Sequence, residues 1–123
     1  MNYNESIEMY LETIHILSKK QNNVKSIDVA NELKYARASV SRAMKIMMEK
    51  EYITMDDKKN VFLTEKGLEI ANRIYDRHVT LTNLLESIGV SKSVAEDDAC
   101  KIEHVISNET MDAIKKHYKN YSK

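Results

Sequence analysis

Apolar side chains recur at helical spacing from the start of the chain. Ile7, Tyr10, Leu11, Ile14 and Leu17 share one face and predict a first helix over about 5–20, which Asn22 and Asn23 interrupt. Ser26 suits an N-cap, with Asp28 in the first turn, and Ile27, Ala30 and Leu33 form the stripe of a short second helix. Lys34 to Ala38 separate it from a third helix over about 39–50. That helix buries Val40, Ala43, Met44 and Met47 and turns Arg42, Lys45 and Glu49 outward. Tyr52-Ile53-Thr54-Met55 and Val61-Phe62-Leu63-Thr64 flank a charged turn, Asp56 to Asn60, and read as a β-hairpin.

Thr64 then caps a long helix over about 65–87, with a stripe of Ala71, Ile74, His78, Leu81, Leu85 and Ile88, and Gly89 suits its stop. Ser93-Val94-Ala95-Glu96 has the form of a capping box opening a fifth helix, about 94–106. Ser107 or Asn108 caps a last helix reaching about Tyr121. The expected fold class is mainly α with a small β-hairpin. A winged helix-turn-helix spans 1–64 and an all-helical domain spans 65–123. In a winged helix-turn-helix the helix after the turn enters a major groove and the hairpin touches the flanking backbone. Three-helix bundles with a hairpin also exist without nucleic acid. The chain shows no internal repeat, low-complexity stretch or flexible linker.

Composition supports a helical, folded chain: among 123 residues there are no Pro and two Gly, 42% hydrophobic and 31% charged. No run approaches the roughly 20 apolar residues of a membrane span. The start, Met1-Asn2-Tyr3-Asn4-Glu5, lacks the basic and then apolar run of a signal peptide. A single cysteine forms no internal disulfide, so a reducing, cytoplasmic setting is expected.

The formal net charge of zero conceals two opposed regions. Residues 15–50 hold eight basic side chains against three acidic ones, and residues 86–112 hold seven acidic against two basic. The first favours a polyanion and the second a cation, although two ordinary solvated surfaces would also differ in this way. With the helix-turn-helix order, the basic half points to DNA. Arg37, Ser39, Ser41, Arg42 and Lys45 are the groove-facing candidates. Arg42 is the candidate base reader, because a guanidinium bonds a guanine edge in bidentate fashion; a phosphate contact or a solvated arginine is the plainer role. Lys58 and Lys59 at the hairpin tip are candidate phosphate contacts, or simply keep the turn soluble.

On a wheel of 100° per residue, Glu96, Glu103 and His104 fall within about 60° of Cys100. A thiol, an imidazole and carboxylates on one narrow face suit a divalent transition metal; a structural cysteine beside solvated charges is the alternative. Met9 lies about 200° from Ile7, off the apolar stripe, with Glu12 one turn later on the same side. A thioether ligand or an ordinary exposed methionine fits Met9. His78 interrupts an apolar stripe, as either a hydrogen-bonded core histidine or a ligand. No Ser-His-Asp arrangement, phosphate-binding glycine loop or H-E-x-x-H occurs, so an enzyme is not expected. A winged-helix regulator sensing a non-metal ligand or redox state is the alternative reading.

Taken together, Glu8-Met9-Tyr10-Leu11-Glu12-Thr13-Ile14, the winged helix, Arg77-His78 and the run from Asp98 to Ser107 resemble the diphtheria toxin repressor family. That family comprises metal-activated transcriptional repressors, including iron-dependent and manganese transport regulators. The resemblance covers the whole chain in matching order. It implies a DNA-binding domain, a helical dimerisation domain and metal ligands drawn from both. Carried over by position, Met9, Cys100, Glu103 and His104 match the iron-type site, and His78 matches a histidine that ligates metal in both branches. Glu12 matches a manganese-type ligand. Glu96 stands where iron-type members place a histidine of a neighbouring site, and is equally the capping-box partner of Ser93. Thr82 replaces a glutamate ligand of that neighbouring site. The SH3-like domain of longer members has no counterpart, so the two-domain form is expected. The resemblance thus implies a homodimer on a palindromic double-stranded operator, with Fe(II) or Mn(II) as corepressor. Zn(II), Co(II) or Ni(II) would bind in a test tube, and neither a membrane nor a small organic substrate is expected. Thioether and thiolate tilt the choice towards iron.

Overall fold

A computed structural model describes residues 3–121, with side chains over 7–118. Met1 and Asn2, and the side chains of Tyr3 to Glu5, on which the leader reading rests, lie outside the described residues. The element order is α1 (Tyr3–Lys20), α2 (Ser26–Leu33), α3 (Arg37–Glu49), β1 (Ile53–Met55), β2 (Val61–Leu63), α4 (Glu65–Ser87), α5 (Lys92–Ile102) and α6 (Asn108–Tyr121). No helix among the described residues is long and apolar enough to cross a membrane. The chain forms two compact units, 1–72 and 73–123, which divide inside α4.

In the first unit the stripe of α1 packs on Val29, Ala30, Val40, Ala43, Met44, Met47, Ile53, Val61 and Ala71 in one core. Leu11, Ile14, Met44 and Met47 are fully buried, so truncating any of them to Ala removes roughly 2–5 kcal/mol. The four residues expected inside α3 are all buried. In α2 the burial differs from the expected stripe, because Val29 is fully buried and Ile27 only half-buried. The cap differs as well. Lys25 holds the N-cap position, and the Asp28 carboxylate accepts its backbone N–H at 2.8 Å, so Ser26 is the first helical residue and not the cap.

Lys34 ends α2 in the left-handed region, at φ 59°. This sharp reversal lets α3 begin at Arg37, two residues earlier than the apolar pattern suggests, and leaves Tyr35 and Ala36 as the linker. The hairpin pairs Ile53 with Leu63, Thr54 with Phe62 and Met55 with Val61. It is tied to the segment before α2, where Val61 donates its backbone N–H to Val24 at 2.7 Å and Lys25 pairs with Asn60. Thr64 caps α4 as expected: its hydroxyl accepts from the Gly67 N–H at 3.1 Å and donates to the Glu51 carbonyl at 2.7 Å. Gly67 is required by a close approach, since a Cβ there would collide with the Tyr52 carbonyl oxygen.

The second unit packs Leu81, Ala99 and Met111 with Ile102, Ile106 and Ile114. Gly89, at φ 106°, stops α4: its N–H reaches the Glu86 carbonyl at 3.0 Å, and the Val90 N–H reaches Leu85 at 3.0 Å. The helix therefore closes at Ser87, and Ile88, expected on the buried stripe, is 70% exposed beyond its end. The Ser93–Glu96 capping box does not form. α5 begins at Lys92 with Ser91 in the cap position, which places Ser93 inside the first turn. It also ends at Ile102, short of the expected 106. Ser107 caps α6 through the Thr110 N–H at 3.1 Å.

In the hairpin turn the Asp56 carboxylate accepts backbone N–H bonds from Lys58 at 3.0 Å and Asn60 at 2.8 Å, and the Asn60 side-chain amide at 3.0 Å. The bonds from Asn60 lead in holding the Asp56 carboxyl below its usual range. A depressed folded-state value adds stability above the unfolded value, lost as pH falls through the folded one. Acidification should therefore loosen the hairpin tip before the core. We expect the protection of the Lys58 and Asn60 amides, measured against the intrinsic exchange rate at each pH, to fall as pH is lowered, and Asp56→Ala to remove that pH dependence, as read by hydrogen exchange.

Candidate functional site

The turn after α5 is the most unusual piece of chemistry in the second unit. Cys100 Sγ, a Glu103 carboxylate oxygen and a His104 ring nitrogen all lie within 4.8 Å of one another. The grouping follows from the chain: Cys100 is in the last turn of α5, and Glu103 keeps helical angles at its C-cap, its N–H bonding the Ala99 carbonyl at 2.9 Å. Three-residue and four-residue spacing then stacks the three side chains on one face. The Glu103 side chain is fully buried, with His78 Nδ1 2.9 Å from one carboxylate oxygen and His104 Nε2 3.4 Å from the other. A buried carboxylate is costly unless positive charge or hydrogen bonds surround it, and here imidazoles stand on two sides. Thiol, carboxylate and imidazole form a donor set that suits Fe(II), Co(II), Ni(II) or Zn(II). The residues therefore fit a transition metal.

Behind this turn stands Arg77, buried on α4 with 7% of its surface exposed. Its Nη1 donates to the Glu103 carbonyl at 3.0 Å and the Ile106 carbonyl at 3.1 Å, and its Nη2 bonds the Asn108 side-chain oxygen. One guanidinium thus holds both ends of the segment carrying Glu103 and His104. In the sequence Arg77 stands beside His78 without a role of its own. Its signal was position: Arg77 lies between Ile74 and Leu81 at helical spacing, on the buried side of α4.

His78 bonds the Glu103 carboxylate, so the oddity in the apolar stripe is a half-buried histidine facing a buried acid. Glu96 is exposed and is not in the Cys100 cluster. With His78 and Thr82 it lines a depression of about 430 Å³. Thr82 is 8% exposed, and its buried hydroxyl has no hydrogen-bond partner among the described residues.

In the first unit, Glu12 is buried and Met9 half-buried on α1. The Tyr35 hydroxyl donates to Met9 Sδ at 3.2 Å, and the Tyr35 ring meets Tyr10 edge-on, with centroids 5.9 Å apart. Burial, and Tyr35 next, push the Tyr10 hydroxyl above its usual range, while the Arg42 charge pulls the other way. Arg37, Ser41, Arg42 and Lys45 are exposed along α3; Lys58 and Lys59 are exposed at the hairpin tip. Ser39 departs from the outward expectation: it is half-buried and accepts from Arg42 Nη2 at 3.4 Å.

Two family descriptions match the chain: "Iron dependent repressor, N-terminal DNA binding domain" over residues 2–61, and "Iron dependent repressor, metal binding and dimerisation domain" over residues 64–123. A helix-turn-helix-type transcriptional regulator of Methanocaldococcus jannaschii, itself described as uncharacterised, is 34% identical over 113 residues, covering 90% of this chain and 90% of its own. The transcriptional regulator MntR of Escherichia coli O157:H7 is 32% identical over 111 residues, covering 90% of this chain and 72% of its own. The solved structure of the metal-dependent transcriptional regulator MtsR shares the fold at a TM-score of 0.82 and 23% identity, over 92% of this chain and 53% of that one.

Replacing Arg77 with Met keeps the apolar stem but leaves two buried carbonyls without their donor. We expect roughly 3 kcal/mol of lost stability in urea unfolding, and weaker Co(II) binding because the turn is released. Arg77→Lys should recover little of either, since an ammonium does not present the same fork of donors.

Proposed function

This chain belongs to the iron-dependent repressor family of the diphtheria toxin repressor, metal-dependent DNA-binding transcriptional regulators that are not enzymes, and we propose that its corepressor is Fe(II) in preference to Mn(II). The observation that carries this reading is the grouping of Cys100, Glu103 and His104 donors within 4.8 Å on one turn. Mn(II) prefers hard oxygen ligands, whereas a thiolate suits Fe(II) better. We assign Met9 and Glu12 as further donors, by the resemblance of the Glu8–Glu12 run to the family's ligand-bearing helix. His78 and Glu96 are assigned to a neighbouring position that Thr82 leaves short of a carboxylate. A bound cation would offset the buried Glu103 charge and favour the arrangement in which its donors are gathered.

DNA recognition falls to residues 1–64. Arg37, Ser41, Arg42 and Lys45 face the groove, Ser39 supports Arg42, and Lys58 and Lys59 meet flanking phosphates. Residues 65–123 supply Cys100, Glu103 and His104 to the metal and pair two copies, so that the two recognition helices meet a palindromic operator about one helical turn apart. Release when metal is scarce would free genes of metal uptake. The proposed setting is the cytoplasm.

The test is a DNA-binding titration of chelator-stripped protein, run anaerobically with Fe(II), Mn(II) and Zn(II) in parallel. The duplex is selected by the wild-type protein from a randomised pool. Metal should tighten binding, with Fe(II) effective at lower concentration than Mn(II); no change with any metal removes the proposal. Cys100→Asp should shift the ranking towards Mn(II), and an unchanged ranking would count against ligand softness. Arg42→Ala should weaken binding by about 1–3 kcal/mol and relax preference at one base position.

A further inference from the structure

Beside the apolar core that joins α1 to α3, Tyr35 makes a polar link between α1 and the linker that leads into α3. It occupies the two-residue linker between α2 and α3, directly after the left-handed Lys34, so its position is set by the reversal that aims α3. Its ring packs edge-on against the buried Tyr10, and its hydroxyl reaches past that ring to the Met9 sulfur. Tyr10 also feels the charge of Arg42, one turn into α3. A chain of contacts therefore runs from Met9 through Tyr35 to Tyr10, on which the charge of the candidate base reader also acts.

We propose that Tyr35 is a positioning residue for metal sensing: its hydrogen bond to Met9 ties the thioether donor to the helix-turn-helix linker. The inference rests on Met9 being a donor, as proposed above. A thioether sulfur has two lone pairs, and the Tyr35 hydroxyl engages one of them, which leaves the other for a cation. A cation that fixes Met9 then restrains the Tyr35 side chain and the linker carrying it. The recognition helix is ordered at its first turn, where base-reading residues lie. The polar contact is an addition to core packing, because Tyr35 is 36% exposed and contributes little to the buried apolar cluster.

Tyr35→Phe removes the hydroxyl and keeps the edge-on ring. In metal-free protein with ¹³C-methyl methionine, the Met9 methyl resonance, identified by its loss in Met9→Leu, should shift in this variant. Co(II) binding followed by absorbance should stay within about threefold of wild type, and metal-free DNA binding should not change. The gain in DNA affinity on adding Co(II) should fall by about tenfold. An equal loss with and without metal would make Tyr35 a DNA contact, and an undiminished gain would remove any link; either overturns the proposal. Tighter Co(II) binding in the variant also overturns it, since the hydroxyl would then compete with the ion for sulfur. A wild-type protein whose DNA affinity ignores metal overturns the function above and this link with it.

Discussion

The side chain of Glu103 has no exposed surface, and the organisation of the second unit answers to that single fact. An ionised carboxylate removed from water needs partners on every side, and the fold supplies imidazoles from two elements. His78 arrives from the middle of α4, and His104 from the residue after the acid itself. Arg77, one position before His78, holds the Glu103 carbonyl instead of its carboxylate. Backbone and side chain of the same residue are thus secured by neighbouring positions of one helix. A carboxylate held in this way is ready-made to face a cation, because the fold offsets part of the cost of burying it and a cation would offset more.

That arrangement accounts for the mixture of residue types on the short helix α5. Ala95 and Ala99 are fully buried and let the helix lie close to its neighbours, while Cys100 and Lys101 carry the polar side. The helix ends at Ile102, so Cys100 sits in its last turn, Glu103 at its C-cap and His104 on the turn that follows. A turn pinned at Glu103 and Ile106 by one guanidinium holds a fixed backbone beneath buried donor side chains. Binding sites depend on that combination: donors placed in advance, on segments whose own hydrogen bonds are satisfied elsewhere.

Much of this was legible in the chain. Periodicity located every element, since long amphipathic stripes such as Ala71–Ile74–Leu81 leave little freedom. The Cys100–Glu103–His104 face followed from spacing alone. Element ends were less legible, for physical reasons. Ser26 and Ser93 look like caps, but Asp28 bonding the Lys25 N–H and a start at Lys92 decided otherwise. Capping is a competition among neighbouring polar groups that a local pattern does not rank. Ile88 was misplaced because the left-handed Gly89 closes α4 one residue before the apolar stripe ends. Arg77 and the Tyr35–Met9 bond were invisible in another way: each joins residues more than 25 positions apart, and only the folded chain brings them together.

The seam joining Val61 to Val24, with Asn60 beside Lys25, gives the first unit one more property. Because the hairpin is stitched to the segment that leads into α2, and Ile53 and Val61 share a core with α3, its strands and the α3 helix belong to one unit. The span between groove and flanking backbone is then dictated by protein and not negotiated with the duplex. On the DNA-binding reading proposed above, a duplex whose natural groove width matches that span would need no bending, and a stiffer one would incur a deformation cost. On that reading, discrimination would extend to base pairs that no side chain touches.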